Sequence, residues 1–201
     1  MLYPDSSDHL STQQLILARA LDVFVEDGMA GFTTRKIAER AGIAVGNLTY
    51  HYPNKQGLLL ALIEQLLTQY ARQFASTLAQ AAERQENALE ALIRWVLEDA
   101  SRERTVRLFR ELWSVALHDA SVRDSVDRFY DQIHEQAIAL LQAYYPTVSE
   151  QTLREVTSLV AVSAEGCLVL YGTKQQRSID LTQMMALVQR VCAQLIEANQ
   201  A

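Results

Sequence analysis

Residues 33–55, "TTRKIAERAGIAVGNLTYHYPNK", decide the fold. Ile37, Ala38 and Ala41 recur at helical spacing behind Thr33 and Thr34, either of which can cap a helix start. Gly42 ends that helix. The tight "AGIA" turn then leads into a short helix from about Val45 to Tyr52, which Pro53 stops. Two short helices joined by a tight turn, with an earlier helix to pack on, make a helix-turn-helix unit. Ile37, Ala38, Ala41, Ile43 and Leu48 are spaced to face Leu17, Leu21 and Phe24 of the preceding helix.

That packing leaves Val45, Gly46, Asn47, Thr49, Tyr50 and His51 pointing outward. The first residues of such a helix suit a DNA major groove. Asn47 can pair with a base edge, Val45 can meet a thymine methyl, and Gly46 permits close approach. Thr49, Tyr50 and His51 offer donors to phosphates on either side. Thr34 and Arg35, at the head of the preceding helix, are counted with this face. Lys55 stands in the first turn of the following helix, where it opposes the macrodipole at a cost of a few tenths of a kcal/mol. A phosphate held by Lys55 together with that helix N-terminus reverses the sign. Taken singly, each of these residues is equally an ordinary solvated side chain. Their order on one scaffold carries the reading.

Charge agrees locally and not globally. The 201-residue chain has a formal net charge of −6, yet residues 28–57 set Arg35, Lys36, Arg40 and Lys55 against Glu39 alone. A small basic face on an acidic body can bind a polyanion while the body keeps the chain dispersed. Composition, 49% apolar and 21% charged, is that of an ordinary globular protein. No apolar run approaches the roughly 18 residues of a membrane helix, and the polar start "MLYPDSSDHLSTQQ" is neither signal nor transit peptide. A cytoplasmic chain with a loose tail over residues 1–10 and no membrane partner is therefore expected. Cys167 and Cys192 lie in apolar helical patterns and read as buried free thiols, with a disulfide or metal site as the alternative.

Outward from the decisive stretch the pattern stays helical. Leu17, Ala20, Leu21 and Phe24 mark a first helix stopped by Gly28. A long helix begins at Asn54, its stripe running through Leu58, Leu59, Leu62, Ile63, Leu66, Leu67, Tyr70, Phe74 and Leu78 over about seven turns. The polar "ERQEN" at 83–87 separates it from helices through Leu89–Leu97, Phe109–Ala116 and Val122–Tyr144. Thr147 with Glu150 and Asp180 with Gln183 form capping-box patterns for the last two. About nine helices result, without an alternating strand pattern, so the fold class is all-α.

Residues 14–63 resemble the DNA-binding domain of the TetR family of transcriptional regulators. The resemblance rests on "ALDVFVEDG", "TTRKIAERAG", "GNLTYHYPNK" and the leucines behind them. Two positions depart from the family pattern: Thr49 stands where tyrosine is commoner, and Ala44 replaces a capping serine. The resemblance implies that residues 1–53 hold the tail and a helix-turn-helix domain. Residues 54–201 would form an effector-binding and dimerisation domain, with the helix from 54 as connector. It also implies a homodimeric repressor that leaves its double-stranded DNA operator when a small-molecule effector binds, with no cofactor. A tilt of the long helix, carried from Phe74 and Leu78 to Lys55, is the expected lever.

For the dimer, Ala161, Ser163, Ala164 and Gly166 give a small-residue surface, and Val188, Val191 and Leu195 place apolar residues on more than one face of the last helix. In the family such a pair meets its symmetry mate as a four-helix bundle. The alternative is that both helices fill an intrachain core. For the effector, Trp95, Phe109, Trp113, Phe129, Tyr130, His134 and Tyr171 either line an aromatic pocket or are plain core. Glu165, in the apolar run "VAVSAEGCLVLYG", is either an interface residue or the anchor for a cationic or hydroxylated ligand. His118 and His134 each neighbour an acid, but adjacent helical residues point different ways, so no metal site is expected. The chain carries no G-x-S-x-G, H-E-x-x-H or Walker pattern, which leaves no catalytic residues to name. A helical-bundle enzyme with scattered residues, or a protein-binding adaptor, are the competing classes. DNA binding that weakens steeply with salt separates them from a regulator.

Overall fold

The computed structural model describes residues 10–172 and 177–199, apart from the side chains of Leu78 and Ala82. The tail expected to be loose thus lies, but for Leu10, outside the described residues, as does the Leu78 side chain of the apolar stripe. Among the described residues the chain forms nine α-helices and no strand. They are α1 (Thr12–Gly31), α2 (Thr34–Ala41), α3 (Val45–His51), α4 (Lys55–Glu83), α5 (Ala88–Ala100), α6 (Glu103–Ala116), α7 (Ala120–Tyr144), α8 (Glu150–Leu170) and α9 (Leu181–Glu197).

Each boundary has a local cause. Ser11 and Gln14 close a capping box on α1, a signal legible in "STQQ". Gly28, at φ 65°, breaks α1 as expected, but one more turn follows before Phe32. Thr33 caps α2 by accepting from the Lys36 amide at 3.3 Å, and Gly42 closes it in the left-handed conformation at φ 67°. Asn54 accepts from the Gly57 amide at 2.8 Å and so starts α4. The cap of α8 is Ser149, which accepts from the Thr152 amide at 3.1 Å, and not the expected Thr147. Ser149 has the extended φ/ψ an N-cap needs, whereas Thr147 lies within the turn that follows α7. Asp180 and Gln183 cap α9 as a box.

Contacts gather the chain into two compact units. One comprises the chain up to Tyr70 with Arg107–Phe129, the other Ala71–Val106 with the chain from Tyr130 onward. In the first, Ile16, Leu17, Ala20, Leu21, Val23 and Phe24 of α1 are buried with Ile37 and Ala38 of α2 and Leu48 of α3. Phe24 meets Phe32 edge-on with ring centroids 5.9 Å apart. Leu58, Leu59, Leu62 and Ile63 of α4 are fully buried. Each such side chain contributes about 1.5–3 kcal/mol of burial, enough to hold two short helices that could not stand alone. In the second unit α5, α8 and α9 pack on one another pairwise. Leu92, Ile93, Leu153, Val156, Val160, Val188 and Cys192 form its interior.

Candidate nucleic-acid interface

The packing of Ile37, Ala38 and Leu48 turns the other sides of α2 and α3 outward. Val45, Gly46, Asn47 and Tyr50 are exposed, Tyr50 at 82%, while Thr49 and His51 are half-buried. The Thr49 hydroxyl donates to the Gly46 carbonyl at 3.1 Å, so its proton is committed within α3. Tyr50 meets His51 edge-on at 5.2 Å, which fixes the two rings side by side. Ala44 caps α3 without a side-chain bond. Arg35 and Lys55 are exposed and Thr34 is half-buried.

The charge of this face differs from the sequence reading. The acids Glu26 and Asp27 lie just before residue 28, and the fold brings them onto α2. Lys36 Nζ lies 2.7 Å from Asp27, and Arg40 reaches Glu26 at 2.5 Å and Asp27 at 3.4 Å. The hydrogen bond from Lys36 holds the Asp27 carboxyl below the ordinary carboxylate value. Of the four basic residues in the window 28–57, Arg35 and Lys55 therefore make no ion pair among the described residues.

The corner beside this face is tied from α6 and from the turn after it. Lys55 Nζ donates to the Met29 carbonyl at 3.4 Å, and the Met29 amide donates to Glu111 Oε2 at 3.0 Å. The Gln56 amide donates to Asp119. That bond holds the Asp119 carboxyl below its ordinary value, so the tie persists through neutral pH and is lost only on acidification below that value.

The residues proposed from sequence for an effector pocket fall into two groups. Phe109 and Trp113 belong to the first unit. There Phe109 is buried edge-on against Tyr70 at 5.6 Å and beside Phe129 at 6.3 Å. The apolar space that Phe109 and Tyr70 leave with Ile63, Leu66 and Leu112 is about 10 Å³, room for no more than one water. Trp95, Tyr130, His134 and Glu165 belong to the second unit. Trp95 packs edge-on against Phe74 at 5.3 Å. The Tyr130 hydroxyl donates to the Glu165 carboxylate across α7 and α8, and His134 Nε2, one turn along, is buried without a hydrogen-bond partner. A separate groove of about 480 Å³ lies among Asn87, Tyr145, Arg190 and Glu197. None of the residues chosen from sequence lines it.

Of the residues expected at a dimer seam, Ala164 and Val188 are buried within the protomer. Ala161, Gly166 and Leu195 are half-buried, and Val191 is exposed. Large apolar side chains not assigned to the seam from sequence are exposed on the same helices: Val162, Val169 and Leu170 on α8 and Leu187 on α9.

Comparison with known proteins agrees with this geometry. Residues 16–62 match the bacterial regulatory proteins of the tetR family, and residues 85–197 match the C-terminal domain of BetI-type transcriptional repressors. An uncharacterized HTH-type transcriptional regulator in the dhlA 5′ region of Xanthobacter autotrophicus is 27% identical over 154 residues, 75% of each chain. Two solved structures show the same fold. The SCO7518 protein of Streptomyces coelicolor A3(2) aligns with a TM-score of 0.68 at 24% identity, covering 92% of this chain and 98% of that one. The multidrug binding protein EbrR complexed with ethidium aligns at 0.64 and 23%, covering 92% and 98%. Regulators of this family bind DNA and small molecules and act as dimers. With an outward recognition helix on a three-helix core and a match over both parts of the chain, this protein is a member of the TetR family, a DNA-binding transcription regulator and not an enzyme.

Proposed function

We propose that the chain acts in the cytoplasm as a homodimeric repressor, released from its operator by an apolar molecule bearing a cationic or hydroxyl group. Val45 and Asn47 read base edges from the major groove, and Gly46 permits the close approach. Thr34, Arg35, Tyr50, His51 and Lys55 contact the backbone, whereas Thr49, expected to do so from sequence, has its hydroxyl proton committed to the Gly46 carbonyl. The observation that carries the DNA reading is α3 itself: one buried anchor, Leu48, and an exposed face ahead of it. Residues 1–53 serve DNA and residues 54–201 the effector and the dimer.

The apolar face on α8 and α9 supports the dimer. Val162 is 70% exposed and Val169 59%, two turns apart on one side of α8, and Leu187 and Val191 are spaced one turn apart on α9. Large apolar side chains exposed on neighbouring helices mark an association surface, and a second copy covers it with two-fold symmetry. Ala161 and Gly166 allow the close approach of helices.

For the effector, Glu165 held by Tyr130, with the unpartnered His134 Nε2 nearby, offers acceptors for a donor-bearing ligand. EbrR is complexed with ethidium in one structure and with proflavin in another, both planar aromatic cations. Tetraphenylphosphonium, a bulky aromatic cation that does not intercalate, is the probe for this chain. Calorimetry should show binding that Glu165→Gln weakens, and the cation should lower operator affinity by the factor by which operator lowers cation affinity. Equal binding by wild type and Glu165→Gln removes Glu165 from the site.

A further inference from the structure

Lys55, in the first turn of α4, is the α4 residue assigned to the DNA face, and the structure ties the chain around it. Its ammonium donates to the Met29 carbonyl at 3.4 Å, the outer edge of a hydrogen bond. The amide of the same residue, Met29, donates to the Glu111 carboxylate at 3.0 Å. Both ends of one backbone unit are thus engaged, one by the DNA face and the other by α6. The preceding residue is shaped to admit the carboxylate. Gly28 has φ +65°, and a Cβ placed there would lie 2.9 Å from both Glu111 oxygens. The next residue after Lys55 is tied as well, since Gln56 donates to Asp119.

We propose that Glu111, an α6 residue away from the recognition helix, is a positioning residue for operator binding. It fixes the Gly28–Met29 corner, and the Met29 carbonyl in turn holds the Lys55 ammonium where a phosphate will take it. A charge-assisted bond to a backbone amide is stronger than a neutral one and directional, so it fixes the corner. The Lys55 bond to Met29 is long, and Lys55 gives it up to a phosphate at little cost. The proposal rests on the reading of Lys55 as a phosphate contact.

The test uses the full-length chain, an operator duplex selected from random DNA, and a scrambled duplex of equal length. Glu111→Ala should weaken operator binding about tenfold, the scale of one lost charge-assisted hydrogen bond. Glu111→Gln, whose amide oxygen still accepts from Met29, should stay within about twofold. In a Lys55→Ala background the loss from Glu111→Ala should shrink to less than about threefold, because the two residues act in series. Hydrogen exchange on the wild-type chain should find the Met29 amide protected, which needs no variant to fold. The proposal is overturned by any of three results: operator binding unchanged in Glu111→Ala, an undiminished loss in the Lys55→Ala background, or a Met29 amide that exchanges freely. A Lys55→Ala chain that binds both duplexes like wild type overturns instead the phosphate reading beneath it.

Discussion

The salt dependence of DNA binding follows from which basic side chains the fold leaves available. Lys36 and Arg40 are engaged by Asp27 and Glu26, which leaves Arg35 and Lys55 on each protomer. Each neutralised phosphate contributes about −0.9 to the slope of log K against log salt, so a dimer using four such cations should show a slope of about −3.6. Were all four basic residues of the window free on both protomers, the slope would be about −7. Lys55→Ala removes two cations per dimer and should flatten the slope to about −1.8, with a similar loss on operator and scrambled duplex. Asp27→Asn works in the opposite direction. It frees Lys36 and loosens Arg40, so the slope should steepen and binding to scrambled DNA should tighten. Fluorescence anisotropy of a labelled duplex between about 50 and 300 mM KCl reads all of these. A wild-type slope near −7, or one that Lys55→Ala leaves unchanged, would refute the charge assignment.

Gly28→Ala should destabilise the protein by about 1–3 kcal/mol, since alanine is strained at φ +65° and its Cβ meets the Glu111 carboxylate; thermal unfolding measures it. Val169→Asp should place a charge on the apolar α8 face and yield monomers in sedimentation at micromolar concentration, while a dimeric variant moves the seam elsewhere. Burial pushes the Cys192 thiol up to about 11, so the folded chain should resist iodoacetamide at neutral pH and react once unfolded. Rapid alkylation of Cys192 in the native protein would contradict its placement.

What the sequence disclosed depended on how local each cause was. Thr33, Gly42 and Pro53 act within a few residues, so α2 and α3 were legible almost to the residue. The period of Leu58, Leu59, Leu62, Ile63 and Leu66 made α4 plain for the same reason. Charge was harder. A window opening at residue 28 begins one position after Asp27, and only the fold shows that α2 packs back on α1 and brings Lys36 and Arg40 onto Asp27 and Glu26. The Ser149 cap was missed because Thr147 offered the same chemistry two residues earlier, and the choice between them is set by backbone angles. Nothing in the sequence singles out Glu111 on α6. Its bond to Met29 spans 82 positions, which no periodicity reveals. The aromatic residues were ambiguous by nature, since core and pocket ask for the same side chains. Phe109 proves buried against Tyr70, whereas Tyr130 and Glu165 form a hydrogen-bonded polar pair between α7 and α8.

Selection of bound duplexes from random DNA, carried out in parallel with wild type and Asn47→Ala, tests the central claim most directly. Asn47 is exposed at the head of α3, where its amide can bond a base edge at about 1–3 kcal/mol of discrimination. The wild type should select two half-sites related by a two-fold axis, as expected of a dimer carrying one recognition helix per protomer. Asn47→Ala should keep the phosphate contacts and lose the base preference at one symmetric pair of positions. A wild type that selects no consensus, or a variant that selects the same consensus with the same stringency, would contradict the assignment of α3 as the element that reads sequence.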